Sequence, residues 1–219
     1  RERGPLVALA QRDPEGLWSH PAWWIDRLRA EYPDEADAIL AAGLSHPPMA
    51  VRPNLRRTTL ADYLRRLTAE GIQAVDVAPG ALLLPKPVPV RRLPGFSEGH
   101  VSVQDAGAQW AARLLAPSDG MRVLDACAAP GGKAAHLLES GDIHLTALDA
   151  DPARLDDARR NLDRLGLEAI CIAADARRVQ QWWNGEPFQR VLLDAPCSGS
   201  GIVRRHPDAR WLRRPGDIA

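Results

Sequence analysis

The sequence predicts an α/β protein in which a small, basic α/β module precedes a parallel sheet. From residue 121 onward, stretches with the pattern of strands alternate with stretches with the pattern of helices, which favours a parallel sheet with right-handed crossovers. The second observation is the segment 123–133, Val-Leu-Asp-Ala-Cys-Ala-Ala-Pro-Gly-Gly-Lys, which is typical of a strand, a glycine turn and the start of a helix. Such a turn brings backbone N–H groups and a helix N-terminus up to a ligand.

The composition limits the architecture and the compartment. The 219 residues suffice for one large domain or two small ones, and 45% of them are hydrophobic, which is enough for a packed core. No apolar run approaches the roughly 18 residues of a membrane span, and no signal peptide is visible. The three cysteines show no CxxC spacing, so we expect neither zinc nor a disulfide framework, and we expect a reducing cytoplasm. Because the sequence begins at Arg1 rather than Met and ends at Ala219 within a pattern, we interpret it as a fragment.

Arginines dominate the positive charge of a chain whose formal net charge is zero. A GC-rich coding bias explains most of the preference for Arg over Lys. The arginines nevertheless fall into two groups: an N-terminal group, Arg52, Arg56, Arg57, Arg65 and Arg66, and a C-terminal group, Arg204, Arg205, Arg210, Arg213 and Arg214. Because Arg binds phosphate in a bidentate manner, the two groups predict a polyanionic partner. Two solvated faces are the alternative.

The N-terminal part begins with residues 1–19, which are interrupted by Pro and Gly and predict a linker or the tail of a preceding domain. A small α/β module over residues 20–98 follows. Its predicted helices cover 21–32, 33–42 and 59–70; the second ends at Gly43, and the third is capped by Thr59 and ends at Gly71.

The strands predicted for this module cover 48–54, with a break at Pro53, and 72–78 and 81–84 around a Pro79-Gly80 turn. Four prolines between residues 85 and 94 predict a stiff, extended linker. We therefore place the domain boundary near residues 95–99.

Residues 99–219 predict the larger, Rossmann-like part of the fold. A brief strand over 101–105 leads into a helix over 106–115, which Asp105 is placed to cap. The strands of the parallel sheet are predicted at 122–125, 143–148, 169–172 and 190–193, and the helices between them at 132–140, 152–165 and 176–183.

An acidic residue stands at or near the end of each of these strands: Asp125, Asp149, Asp175 and Asp194. Asp149 lies roughly one βα unit after the glycine turn, the spacing at which an acid meets ribose hydroxyls, and Asp175 is placed to accept from an adenine amino group. The turn is neither GxGxxG nor a P-loop. The predicted ligand therefore carries an adenosine without a pyrophosphate, and S-adenosylmethionine fits. Each acid alone is equally well explained as a helix cap or loop residue, but three acids at three successive strand ends, behind a glycine turn, argue against that explanation.

A second distinctive segment, 194–201, reads Asp-Ala-Pro-Cys-Ser-Gly-Ser-Gly. A cysteine in such a turn at the end of a strand is placed to be reactive. One methyl acceptor that requires such a cysteine is cytosine, because its C5 accepts a methyl group only after a thiolate adds to C6. The residues alone therefore make Cys197 the candidate nucleophile. A small turn residue is the alternative for Cys197. Cys127 lies in the glycine turn, and Cys171 lies inside a strand, where we expect it to be buried.

Together these segments resemble the RNA cytosine-C5 methyltransferases. The motifs are the glycine-turn segment, Ala-Leu-Asp-Ala-Asp at 147–151, Leu-Leu-Asp-Ala-Pro-Cys-Ser-Gly-Ser-Gly at 192–201, and Ile-Val-Arg-Arg-His-Pro-Asp-Ala-Arg-Trp-Leu-Arg-Arg at 202–214. The resemblance extends from about Trp24 to Asp217 and is strongest to the bacterial 16S ribosomal RNA enzymes that carry a NusB-like domain. Pro53 departs from the aliphatic residue that this family has there.

The resemblance implies a site in which S-adenosylmethionine contacts Cys127, Ala128, Ala129, Pro130, Gly131, Gly132, Lys133, Asp149, Asp175 and Asp194. It also implies that Asp194 contacts the target base, that Lys133 is a further base contact, and that Cys197 is an accessory cysteine that assists product release. The family's attacking cysteine lies in a later Thr-Cys-Ser segment that this sequence does not contain.

The same resemblance implies RNA as the partner and the first four strands of a seven-stranded sheet. We therefore expect the fourth strand to have an open edge and the 219-residue chain not to methylate RNA by itself. Three alternatives remain: a catalytically silent module that binds RNA or S-adenosylmethionine, a methyltransferase for transfer RNA, and a methyltransferase for DNA or a small molecule.

Overall fold

The structure, a computed structural model, describes residues 3–78 and 80–218. The chain forms two compact units. The first comprises the described parts of residues 1–47 and 196–219, and the second comprises those of residues 48–195.

The α-helices, in chain order, are α1 (Arg3–Ala10), α2 (Pro14–Trp18), α3 (Ala22–Glu31), α4 (Ala36–Leu44), α5 (Leu60–Ala69), α6 (Trp110–Leu115), α7 (Gly132–Ser140), α8 (Pro152–Leu165) and α9 (Ala209–Leu212). The strands are β1 (Met49–Pro53), β2 (Val75–Ala78), β3 (Ala81–Leu84), β4 (Val101–Val103), β5 (Arg122–Asp125), β6 (His144–Asp149), β7 (Ile170–Ala173) and β8 (Arg190–Leu192). None of the described helices is long and apolar enough to cross a membrane.

The first unit is helical. Its segment 3–18, predicted to be a linker or the tail of a preceding domain, forms the helices α1 and α2. Asp13 caps α2 by accepting a hydrogen bond from the backbone N–H of Gly16 at 3.4 Å, and Pro14 takes the first helical position. Residues 1 and 2 of the predicted linker lie outside the described residues.

Helices α3 and α4 bury the aromatic and aliphatic side chains of this unit. Trp24, Ile25 and Leu40 are buried, and the predicted helix at 21–32 is confirmed to within a residue at each end. Gly43 does not end α4 as predicted. It lies inside the helix, and a Cβ built on it would make only an ordinary van der Waals contact, 3.5 Å from the His20 ring.

The second unit begins with an antiparallel sheet in the order β2-β3-β1-β4. All five residues of β1 are buried, and Pro53 stands at its end, opposite Val101 of β4. A proline is tolerated there because little of the strand's ladder follows it. Helix α5 packs Tyr63 and Leu67 against this sheet. Thr59 caps the helix as predicted by accepting from the Asp62 backbone N–H at 3.1 Å.

The predicted linker and boundary differ from the structure. Residues 90–92 form a short 3₁₀ turn, and Leu93 is buried in the same core as Tyr63, so this segment is packed against the sheet rather than extended. Strand β4 follows the predicted boundary but pairs with β1, so the first sheet continues to Val103. Pro79 of the predicted turn lies outside the described residues.

The second sheet is wholly parallel, in the order β7-β6-β5-β8. The four strands agree with the predicted ones to within one residue at each end. The chain moves outward from β5 through β6 to β7 and then returns to the other side of β5 as β8. The sheet therefore has a topological switch point between β5 and β8, and in open α/β sheets ligands bind at such a point, beyond the carboxyl ends of the strands.

Two predicted helices of this region are shorter in the structure. The helix predicted at 106–115 begins only at Trp110, because Asp105 accepts from the Gly107 backbone N–H at 2.9 Å and closes a turn. The helix predicted at 176–183 is wrong: only a 3₁₀ turn over 179–181 forms. Strand β8 occupies an edge of the described sheet, as predicted for the isolated chain, and Val191 on it is 52% exposed.

Candidate cofactor-binding site

The glycine turn joins β5 to α7 and is tied to the end of β6. The Ala128 backbone N–H donates to the Leu148 carbonyl at 2.8 Å, and the Ala129 N–H donates to Asp149 Oδ2 at 3.1 Å. Gly131 has φ of 91°, and a Cβ there would lie 3.0 Å from Cα of Ala158 in α8. The turn therefore requires glycine both for its left-handed backbone and for the close approach of α8.

Asp149 has a local structural role in addition to its predicted one. It is buried, and its second oxygen accepts from the Asp151 backbone N–H at 3.0 Å. Arg154 lies 4.0 Å from the same carboxylate. A carboxylate accepts up to about four hydrogen bonds, so these two leave room for a ligand hydroxyl. Contact of Asp149 with a ribose stays a prediction.

Asp125, the last residue of β5, is the most unusual group at this edge of the sheet. It is 1% exposed, and neither carboxylate oxygen has a hydrogen-bond partner among the described residues. Burial raises the pKa of Asp125 to about 6, Asp194 and Asp149 add to the rise, and the nearby Cys127 backbone N–H and Lys133 ammonium offset only part of it. A buried acid without partners is costly, so this carboxylate is a candidate for receiving a positively charged ligand group.

Asp125 is recognisable in the sequence as an acid at a strand end, but no contact with the cofactor was predicted for it. What distinguishes Asp125 from the other acids is its environment in the folded protein. Its isolation depends on which atoms surround it, and strand patterns carry no information about that.

Lys133 and Asp194 meet across the switch point. The Lys133 ammonium, in the first turn of α7, donates to Asp194 Oδ2 at 2.5 Å, and Asp194 follows β8. The two side chains are 26% and 56% exposed, so the pair faces solvent and is open to a ligand. The structure thus brings together two of the residues that were predicted to contact the target base.

Asp175 follows β7, which is separated from the switch point by β6. Its carboxylate pairs with the Arg177 guanidinium at 2.7 Å, and this hydrogen bond lowers the pKa of Asp175 to about 2. The acid is therefore ionised at neutral pH. Its predicted contact with an adenine amino group stays a prediction.

Among the described residues, no group of three or more His, Cys, Asp or Glu side chains is arranged to hold a metal ion. This edge of the sheet instead holds backbone N–H groups, the buried carboxylate of Asp125 and the exposed pair of Lys133 and Asp194. It is suited to an organic ligand with a positively charged group.

Comparison with known proteins assigns this arrangement to a family. The family described as 16S rRNA methyltransferase RsmB/F matches residues 112–219. The ferredoxin-like domain described for RsmF/B-like methyltransferases matches residues 20–91. The chain belongs to the RsmB/F family. Its fold is accordingly that of the Rossmann-like methyltransferases, with a small module before the parallel sheet.

Curated relatives of this RsmB/F chain are named ribosomal RNA small subunit methyltransferase B. The protein from Pseudomonas syringae pv. tomato is 47% identical over 226 residues, which is 100% of this chain and 50% of the relative. The protein from Vibrio cholerae is 48% identical over 222 residues, which is 100% of this chain and 51% of the relative. The chain thus spans about half the length of these relatives.

Solved structures show the same fold. A methyltransferase homologue from Pyrococcus horikoshii superposes with a TM-score of 0.76 at 29% identity, over 93% of this chain and 67% of that one. The protein PH0851 superposes with a TM-score of 0.87 at 28% identity, over 93% of this chain and 47% of that one.

The three cysteines of this RsmB/F chain differ in their surroundings. Cys127 and Cys171 are half-buried, and burial raises the pKa of both thiols, with Asp149 and Asp125 adding to the effect at Cys127. Both are therefore protonated at neutral pH and are poor nucleophiles. Cys197 is exposed in the first unit, where it lines an open pocket and its Sγ lies 3.4 Å from the Gly199 backbone N–H.

Three arginines of the N-terminal group have partners within the second unit. Arg52 is buried in an ion pair with Glu139 at 2.9 Å. Arg56 donates to the Gly141 carbonyl at 2.7 Å, and Arg57 donates to the Leu165 carbonyl at 2.8 Å. These three arginines fasten the first sheet to α7 and α8 within the second unit. The remaining two arginines of the group lie on α5.

Proposed function

We propose that this chain is part of an enzyme that transfers a methyl group from S-adenosylmethionine to C5 of a cytosine in ribosomal RNA, with 16S rRNA as the first candidate. The observation that carries the proposal is the buried carboxylate of Asp125, which has no hydrogen-bond partner among the described residues and lies beside the glycine turn at the switch point. Membership of the RsmB/F family and the names of the relatives support it.

S-adenosylmethionine fits the groups that the switch point offers. The cofactor carries an ammonium group, which matches a buried carboxylate that lacks a partner, and a carboxylate, which matches backbone N–H groups at the start of α7. Asp149 and Asp175 are the acids proposed for its ribose and adenine. When bound, the cofactor supplies an electrophilic methyl group on a sulfonium. The chain itself binds the cofactor, orients it and keeps the site closed behind it with the packed turn at Gly131.

The acceptor side of the proposal rests on Asp194, Lys133 and the Pro-Cys segment. The exposed pair of Lys133 and Asp194 presents both a donor and an acceptor, which matches the N3/N4 edge of a cytosine taken out of its stack. In the proposed chemistry a thiolate adds to C6, and C5 then takes the methyl group as the S–CH3 bond of the donor breaks and leaves a neutral thioether. A base then removes the C5 proton, and the C–S bond breaks as the thiolate leaves. By the family resemblance, Cys197 assists this last step and another cysteine attacks.

Calorimetric titration of S-adenosylmethionine into the 219-residue chain tests the cofactor assignment. We expect saturable binding, at least tenfold weaker in Asp125→Asn, which removes the charge and keeps the shape. Asp157→Asn removes a charge from the exposed face of α8, where the carboxylate pairs with Arg160, and serves as the matched control with unchanged affinity. A folded wild-type chain that does not bind the cofactor would disprove the assignment.

Transfer of a tritiated methyl group to RNA tests the reaction. We expect no transfer by the 219-residue chain on its own and transfer to cytosine C5 when the Thr-Cys-Ser segment of the family is supplied in a longer protein. Efficient transfer by the chain alone that is lost in Cys197→Ala would instead make Cys197 the nucleophile. Equal methylation of duplex DNA would contradict RNA as the substrate.

A further inference from the structure

The C-terminal arginine group differs from the N-terminal one in its surroundings. Arg204, Arg205 and Arg210 line an open pocket of about 610 Å³ in the first unit, together with the residues that end α4. Arg210 is 4% exposed. Neither Arg204 nor Arg210 forms an ion pair with a carboxylate among the described residues, whereas the equally buried Arg52 is neutralised by Glu139.

The end of α4 holds these two arginines in place. Arg210 Nη2 donates to the Gly43 carbonyl at 2.5 Å and to the Val203 carbonyl at 3.0 Å. Arg204 Nη2 donates to Ser45 Oγ at 2.8 Å and to the His46 carbonyl at 3.1 Å. The carbonyl groups at the end of a helix attract cations, so capping of α4 is one role of this pair.

Capping does not account for all of the charge or for all of the donors. A helix C-terminus carries only about half an elementary negative charge, and two guanidinium groups bring two positive ones. On each arginine, only Nη2 has an acceptor among the described residues, and the Nε groups of both are buried without one. The two guanidinium groups therefore bring more positive charge to the pocket than the end of α4 offsets.

We propose that Arg204 and Arg210 form a binding site for a backbone phosphate of an RNA strand. A phosphodiester supplies the missing negative charge and several acceptor oxygens, and planar guanidinium groups match it. The proposal deepens the proposed function, on which it rests for the nature of the polyanion. The charge of Arg52 is then neutralised inside the protein by Glu139, whereas the charge of this pair is neutralised by the substrate backbone.

Binding of a fluorescent, single-stranded oligonucleotide from 16S rRNA to the 219-residue chain, measured at a series of salt concentrations, tests the site. The variants are Arg204→Gln, on the less buried arginine, and Arg210→Lys, which keeps the charge and loses the planar group. Arg29→Gln is the matched control, because it removes an exposed positive charge from the same unit. The Arg29 guanidinium already pairs with the Asp37 carboxylate at 3.4 Å. Thermal melting of each variant verifies folding.

We expect Arg204→Gln to weaken binding about three- to tenfold at roughly 0.1 M salt and to reduce the slope of log K against log salt by about 0.7, the loss of one phosphate contact on a single strand. Arg210→Lys also weakens binding, but it changes the slope less than Arg204→Gln does because the charge is kept. Arg29→Gln changes neither quantity. A folded Arg204→Gln variant with wild-type affinity and slope overturns the site and leaves the proposed function intact, whereas a wild-type chain that does not bind RNA overturns the proposed function.

Inorganic phosphate provides the second arm of the test. If millimolar phosphate raises the melting temperature of the wild type but not of Arg204→Gln, and Arg204→Gln also changes the salt slope for RNA, the site is a phosphate subsite of the RNA-binding surface. If phosphate has this effect while RNA binding is unchanged in the variant, the site takes a free anion, and the assignment to RNA is overturned.

Discussion

At the scale of single residues, Asp125 links stability to function. Its folded-state pKa of about 6 exceeds the value of 3.8 for an unperturbed aspartate, because burial disfavours the charged form. The folded state thus binds the proton more tightly than the unfolded state does. The contribution to stability is fully present below about pH 4 and is lost as the pH rises through 6.

The prediction is that Asp125→Asn stabilises the chain at high pH only. The pKa difference corresponds to about 3 kcal/mol, and asparagine avoids this loss because it is neutral at every pH. We expect the variant to be about 2–3 kcal/mol more stable than the wild type at pH 8 and equal to it near pH 4, as measured by urea denaturation at both values.

The control for this experiment is Asp175→Asn. Because the Arg177 guanidinium holds the pKa of Asp175 at about 2, its carboxylate is ionised in both states between pH 5 and 8, so the effect of this substitution does not vary over that range. A pH-independent difference for Asp125→Asn would contradict the burial of an unpaired acid. Stabilisation together with weaker cofactor binding would show that the site keeps an unfavourable charge for its ligand.

Residue types at strand ends are visible in the sequence, but their partners are not. The four acids of the parallel sheet were identifiable because each follows an apolar run. Their partners follow from packing. Asp149 accepts hydrogen bonds from backbone N–H groups, Asp175 pairs with Arg177, and Asp125 has no partner among the described residues. The arginines show the same limit, because the partner of Arg52 lies 87 residues away in the chain.

At the scale of elements, regular strands and long amphipathic helices were predictable and irregular segments were not. Helix α8 begins at Pro152 with a cap from Asp151 and is terminated by the C-cap Gly166, and all three signals are local. The segment 176–183 has helix-favouring residues, but the Arg177 backbone N–H donates to Asp175 Oδ1 at 3.0 Å, and this contact closes a turn instead.

Substitution of Gly131 tests the turn as an element. Gly131→Ala incurs the strain of a left-handed residue, about 1–2 kcal/mol, and a contact of 3.0 Å with α8 that costs a further 1–3 kcal/mol. Gly120 has a similar φ of 77°, but nothing lies within 4 Å of a Cβ there. Gly120→Ala therefore incurs the strain alone.

We expect urea denaturation to give a loss of about 2–5 kcal/mol for Gly131→Ala and about 1–2 kcal/mol for Gly120→Ala. Only the former displaces the turn from α8, so only it should weaken binding of S-adenosylmethionine. Equal losses of stability in the two variants would mean that α8 moves aside without cost and that the close approach is not a constraint.

At the scale of the whole molecule, the two arginine groups show how one residue type serves two purposes. The buried pair of Arg52 and Glu139 joins the antiparallel sheet to α7 within the second unit, and Arg52 Nη1 also donates to the Gly132 carbonyl at 3.1 Å, where the glycine turn becomes a helix. The module before the parallel sheet therefore contacts the start of α7, directly after the glycine turn.

The last prediction concerns this pair. Glu139→Ala leaves the Arg52 guanidinium buried without its carboxylate, and we expect a loss of about 3–5 kcal/mol by urea denaturation. Asp62→Ala, which breaks the exposed pair with Arg65 but also removes a partner of the Thr59 cap, is expected to cost clearly less. Replacing both members, as Arg52→Met with Glu139→Leu, removes the buried charges together and should recover most of the stability. If Glu139→Ala costs no more than Asp62→Ala, the two sheets are held together by apolar packing alone, and Arg52 does not position the turn.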